Sequence, residues 1–230
     1  MRRLRSLSTL ALLAPLASGC VSYAVGTTAE TLPKGEVVSA SILEVIPPFA
    51  PDDGSCDSDG TSGTADPCRR VQPMGSVEIR SGLDERSEIG VRFIGGGAGL
   101  VGTYKRRLSP DSARAQQAFI VGAGITSGFQ VADLEGTFIV SGRPGGEVTP
   151  YGGLKAMLTY PLGPSDPIDL PTVGTFVGAR IGRTGITIAP EIGVFFDRSA
   201  TGGRSSLFIV VPSVTITGIG RSPFGFLGGC

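Results

Sequence analysis

Between Gly35 and Thr217 the chain breaks into ten segments of roughly 8–14 residues, and the clearest of them alternate apolar and polar residues with a period of two. In 87–95, Ile89, Val91 and Phe93 share one face, while Glu88, Gly90 and Arg92 share the other. In 75–82, Val77 and Ile79 oppose Ser76, Glu78 and Arg80. In 172–182, Val173, Val177, Ala179 and Ile181 oppose Phe176, Gly178 and Arg180. In 185–197, Ile186, Ile188, Ile192, Val194 and Phe196 oppose Thr187, Glu191 and Gly193. A period of two places each set on one side of a sheet, so these segments are strands. The remaining strands are expected at 35–46, 98–107, 115–126, 135–142, 147–160 and 205–217, with 115–126 apolar on both faces.

Which side of the sheet is buried follows from composition. Charged residues make up only 17% of the chain, glycine reaches 36 of 230, and mean hydropathy is +0.22. After the first twenty residues no apolar run approaches the ~18 residues of a spanning helix. An apolar, glycine-rich chain made of strands is best accommodated as a barrel whose outer face meets lipid. The expected fold is all-β, an antiparallel up-and-down transmembrane β-barrel of about ten strands over 35–217, followed by a tail, 218–230. Ten is even, as single-chain bacterial outer-membrane barrels require, and the segments suit the ~9–11 residues a tilted strand needs to cross. With the N-terminus on the periplasmic side, the odd connections face outward: 47–74, 127–134, 161–171 and 198–204. The even ones include the short turns 83–86, 143–146 and 182–184. Long outside and short inside is the barrel pattern, with 108–114 and the Gly95-Gly96-Gly97 turn as exceptions.

The start of the chain is of a different kind. Arg2, Arg3 and Arg5 form a basic head, Leu7 to Leu16 an apolar run, and Ala17-Ser18-Gly19 a small-residue row before Cys20. That is the layout of an export signal, expected over 1–19. The small residues abutting a cysteine resemble the lipobox of bacterial lipoproteins. The resemblance implies that the Cys20 thiol is acylated, palmitate being the acyl type expected, and that Cys20 becomes the first mature residue. Residues 20–34 then read as a lipidated tether leading to the first strand. Removing the leader takes away three of the 20 basic residues and leaves 17 against 20 acidic, a charge of −3. No basic patch points to nucleic acid.

TAETLPKGEV, VEIRSGLDERSEIGVRF and GLVGTYKRRL resemble recurring stretches in a group of small outer-membrane barrels of Gram-negative bacteria. The matching positions are Leu32 to Gly35, Arg80 to Arg86, Glu88 to Phe93 and Gly99 to Lys105. The resemblance implies fold and an outer-membrane location, and it carries no activity. The expected partners are outer-membrane lipid and the machineries of lipoprotein processing and barrel insertion.

Chemistry-bearing motifs are few. The chain contains no histidine, so Ser–His and Cys–His nucleophiles and histidine–zinc sites are excluded, and no enzyme or cofactor is expected. Gly97-Ala98-Gly99-Leu100-Val101-Gly102 satisfies GxGxxG, but a strand with a basic end follows it instead of a helix. Asp52-Asp53-Gly54 and Asp57-Ser58-Asp59-Gly60 offer oxygen ligands without the EF-hand spacing, and read as turn chemistry. Cys56 and Cys68 bracket a polar segment in an oxidising compartment and are expected to form a disulfide closing the 47–74 loop, leaving Cys230 over.

The alternation also aims charges inward. Glu78, Arg80, Glu88, Arg92, Lys105, Lys155, Arg180 and Glu191 are expected to face the lumen. Two roles stay open for them: a salt-bridged plug that keeps a small barrel closed, or a narrow pore favouring anions, since five are basic and three acidic. The alternative architecture is a soluble periplasmic lipoprotein with a β-sandwich or lipocalin-like ligand cavity, which the absence of Trp and the presence of only four Tyr keep in play.

Overall fold

The computed structural model describes residues 22–46, 72–95, 99–110, 112–126, 130–143, 146–162, 171–182, 185–196 and 208–219. The expected leader, Cys20, the Cys56–Cys68 loop with its aspartates, and Cys230 lie outside them. Ten strands are present among the described residues: β1 (Val37–Ile46), β2 (Gln72–Asp84), β3 (Ser87–Ile94), β4 (Gly99–Arg107), β5 (Gln116–Thr126), β6 (Val131–Ser141), β7 (Val148–Pro161), β8 (Thr172–Ile181), β9 (Ile186–Phe196) and β10 (Phe208–Ile219). Each pairs antiparallel with its sequence neighbours, and β1 pairs with β10, so the sheet closes into an up-and-down barrel. Closure leaves no sheet edge unpaired, the condition for placing a sheet in hydrocarbon.

The faces follow the period-two reading. Ile89, Val91 and Phe93 on β3 are exposed, while Glu88, Gly90 and Arg92 between them are buried. Across β7, β8 and β9 the outward set includes Leu154, Val173, Val177, Ile188 and Ile192. The apolar side chains thus face out and the charges face in, the reverse of a lipocalin-like cavity or a soluble sandwich. No described helix is long and apolar enough to cross a membrane, and the barrel needs none.

Strand β1 is apolar on both faces. Its inward residues are Val38, Ala40, Ile42, Glu44 and Ile46, all buried, while Val37, Ser39, Ser41, Leu43 and Val45 are on the outer side. Strand β6 begins four residues earlier than the expected 135, so the connection before it is shorter than 127–134. Asp133, inside the expected connection, instead pairs with Gly124 in the β5–β6 ladder and accepts a hydrogen bond from the Thr126 hydroxyl. Connections 47–71, 162–171 and 197–207 all leave from one end of the barrel, and turns 85–86, 142–147 and 182–185 from the other.

The largest departure concerns residues 22–34. Expected as a tether, they enter the barrel: Tyr23, Ala24, Val25 and Ala29 are each 4% exposed or less. An extended peptide fills the space because ten strands enclose more volume than the inward side chains occupy alone. The wall is shaped to admit it. Gly26 (φ 58°) lies so close to β10 that a Cβ there would sit 2.0 Å from Thr215 Oγ1. Gly82 lacks a side chain for the same reason, since a Cβ would meet the Pro33 carbonyl oxygen at 2.1 Å.

Candidate functional site in the barrel lumen

The site is the lumen, built from inward side chains of the wall and the main chain of residues 22–32. The segment enters at the short-turn end. There Gly35 N donates to Gly82 O (2.9 Å) and Gly82 N to Glu36 O (3.0 Å). Thr31 Oγ1 donates to Glu85 O (2.9 Å). Two of the motif stretches noted in the sequence, Leu32 to Gly35 and Arg80 to Arg86, therefore meet here. Their shared task is to turn the peptide from the lumen into the wall.

Farther in, carboxylates on the wall take up the segment's backbone amides. Glu88 Oε2 accepts from Leu32 N (2.9 Å). Glu191 accepts from Val25 N (2.9 Å) and Gly26 N (3.0 Å) through its two oxygens. Glu44 Oε2 accepts from Tyr23 N (2.7 Å) and Ala24 N (3.1 Å), and its Oε1 from the Ser22 hydroxyl (2.5 Å). A peptide without regular structure has no ladder of its own, so its buried N–H groups need such partners. Cations serve its oxygens: Lys155 Nζ donates to the Ser22 carbonyl (2.8 Å), and Arg80 Nη1 to Thr27 Oγ1 (2.6 Å).

The wall charges also pair with one another. Arg80 lies 3.7 Å from Glu78 and 3.5 Å from Glu88; Arg92 lies 3.6 Å from Glu78. Lys105 contacts Glu88 at 3.1 Å and Lys155 contacts Glu135 at 3.0 Å. Register explains the first group, because Glu78 faces Arg92 across β2–β3 and Glu88 faces Lys105 across β3–β4. Arg180 sits nearer the short-turn mouth, in an ion pair with Glu30 of the segment.

All eight charges read from the sequence are on the lumen side, seven of them buried and Arg180 partly so. The reading missed Glu44, Asp133 and Glu135 on the wall and Glu30 on the segment. Adding these four to the three acidic residues makes seven acidic against five basic, so the basic excess behind the anion-pore reading disappears. Glu135 had a signal, its place two residues before the inward Thr137. Glu44 had none, because the residues sharing its face are apolar.

Apolar packing closes the remaining space. Tyr23 lies against Phe195 (ring centroids 5.0 Å) within a cluster that includes Ile46, Met74, Ile94 and Ile209. Val25 and Ala29 pack in a second cluster with Ile120, Ile139, Tyr151 and Phe176. Beside the charged cluster a cavity of about 10 Å³ remains, about one water. A larger pocket of about 320 Å³ opens at the short-turn end between residues 26–33 and the wall. No group of residues suited to a metal occurs among the described residues.

An apolar exterior around a charged, peptide-filled interior is the membrane form of a closed barrel. This is a transmembrane β-barrel. No protein-family model matches the chain, and no curated protein matches it significantly. Among solved structures it is similar to an outer membrane channel from Pseudomonas putida F1, at 10% identity and a TM-score of 0.48, over 87% of this chain and 100% of that one. It is also similar to Neisserial surface protein A, at 13% identity and a TM-score of 0.34, over 80% of this chain and 97% of that one. OprG from Pseudomonas aeruginosa matches at 12% identity and a TM-score of 0.29, over 84% of this chain and 97% of that one.

Proposed function

We propose that this protein is a lipid-anchored barrel of the bacterial outer membrane with a structural role, its lumen closed by its own N-terminal segment, and that it is neither an open channel nor an enzyme. The observation that carries this reading is the occupancy of the lumen by residues 22–32, whose backbone amides are held by Glu44, Glu88 and Glu191. A channel needs a continuous polar path, and here the path is interrupted by apolar side chains and paired charges. The leader over 1–19 and the small-residue run ending at Cys20 support export and acylation. Outer-membrane lipid and the processing and insertion machineries are the partners this reading requires. In the oxidising compartment this reading requires, peptide mapping without reductant should recover Cys56 and Cys68 as a linked pair.

The test is reconstitution of the full mature chain in planar bilayers. Intact protein should show no steady conductance, and a variant lacking residues 22–32 should conduct. Steady conductance by the intact protein, equal to that of the deletion, would overturn the closed-lumen reading. Replacement of Cys20 by Ala should abolish incorporation of labelled palmitate.

A further inference from the structure

The outer face of the wall carries almost no charge. On β4 the residues facing outward are Leu100, Gly102, Tyr104 and Arg106. Among the described strand residues, Arg106 is the one charged side chain that points outward with the lipid-facing set; Asp84 lies past a register shift at the end of β2. A lone guanidinium on such a face is costly at mid-bilayer and is accommodated at headgroup level. Arg106 is the penultimate residue of β4, at the short-turn end, which faces the periplasm in membrane barrels. The other exposed basic residues among those described, Lys34, Arg86, Arg114 and Arg143, belong to the same end.

The surroundings of Arg106 suit a phospholipid at both its polar and its apolar parts. Ser87 is its register partner on β3, and Tyr104 Oη donates to Ser87 Oγ (3.2 Å) within hydrogen-bond reach of Arg106. Asp84, the carboxylate whose charge reaches Arg106, is held within its own turn by the Arg86 amide (2.7 Å). On the other side the register runs from Arg106 to Phe119, then Phe138, then Leu154, all on the outer face. Beyond Tyr104 the wall is low. Gly102 pairs with Ala123, and a Cβ at Gly102 would have no neighbour closer than 3.8 Å.

We propose that Arg106, with Tyr104 and the β2–β3 turn, holds the phosphate of an anionic phospholipid of the periplasmic leaflet, whose acyl chains lie against Phe119, Phe138 and Leu154. A guanidinium offers phosphate two parallel N–H donors, and the phenol keeps it at headgroup level. A headgroup without an ammonium is favoured because Arg86, at the same corner, would repel one. The inference rests on the outer-membrane location and is independent of the closed lumen and the acyl anchor.

The experiment is native mass spectrometry of the full mature protein in detergent, titrated with phosphatidylglycerol. The wild type should retain one lipid, and R106Q should bind it at least ~10-fold more weakly, the loss of charge-assisted hydrogen bonds. Phosphatidylcholine should bind the wild type more weakly by a similar factor. R143Q, which removes an exposed charge at the same end but in another turn, should bind as the wild type does. R106K keeps the charge without the paired donors and should fall between; it serves if R106Q does not fold, which gel mobility before and after boiling shows. Equal affinity of the wild type and R106Q, equal weakening by R143Q, or equal binding of phosphatidylcholine would overturn the proposal. Steady conductance by the intact protein would overturn the closed lumen and leave this site standing, and failure of lipid binding would do the reverse.

Discussion

Strands β2–β4 and β7–β9 lie on opposite sides of the ring, with β3 and β8 five strands apart, and they close the lumen by different means. The β2–β4 sector uses charge: Glu78, Arg80, Glu88, Arg92 and Lys105 form one connected cluster of ion pairs. The β7–β9 sector uses aromatic rings laid over glycines. A Cβ at Gly178 would meet the Tyr151 ring at 2.7 Å, one at Gly174 would meet Phe195 at 2.2 Å, and one at Gly193 would meet Phe195 at 2.3 Å. Both sectors hold the peptide through directed hydrogen bonds, the second through Glu191 and Lys155, but only the glycine sector makes room for rings that fill the cross-section. A lumen of this width needs both, since ion pairs alone leave voids and rings alone leave the peptide's amides without acceptors.

The comparison breaks if the ion pairs prove dispensable. Glu88→Ala should have the largest effect, because it leaves Arg80 and Lys105 buried with a lost partner and Leu32 N without its acceptor. The expected loss is about 3–5 kcal/mol, read from urea unfolding in lipid vesicles. A loss below ~1 kcal/mol would mean that the charged sector does not hold the structure.

Next comes the outer face, where the two sectors should not differ. Val91→Arg on β3 and Val177→Arg on β8 should each cost about 2–4 kcal/mol if both face the hydrocarbon midplane. Unequal costs would show that the contrast extends beyond the lumen. A lipophilic carbene probe in the bilayer sharpens the same point. It should label cysteines placed at positions 89, 91 and 93 and spare those at 88, 90 and 92.

The smallest change tests the glycine sector. Gly174→Ala should destabilise by about 1–3 kcal/mol, since the new methyl meets both Phe195 and the Val194 carbonyl oxygen. Combining it with Phe195→Leu should recover part of the loss. Without recovery, the glycine serves the backbone and not the ring.

Most of the wall was legible in the residues. Alternation in β2, β3, β8 and β9 set both the strands and their faces, because side-chain direction in a strand depends only on parity. It therefore also put Glu78, Arg80, Glu88 and Arg92 together on the inner face. Strand β1 was recognisable as a strand but not oriented, since aliphatics occupy both of its faces, and Glu44 was lost with it. Its inner face is apolar because it packs against a peptide, a partner that local pattern does not reveal.

That partner marks the limit of what sequence determined. Residues 22–34 have no period, mix small and polar residues, and read as linker by composition. Their place was decided by closure. Only when ten strands form a ring is there a space that inward side chains leave unfilled, and only there do Glu44, Glu88 and Glu191 stand where the segment's amides need acceptors. Strand parity is a property of neighbouring residues, whereas the volume of a lumen and the partners across it belong to the closed sheet alone.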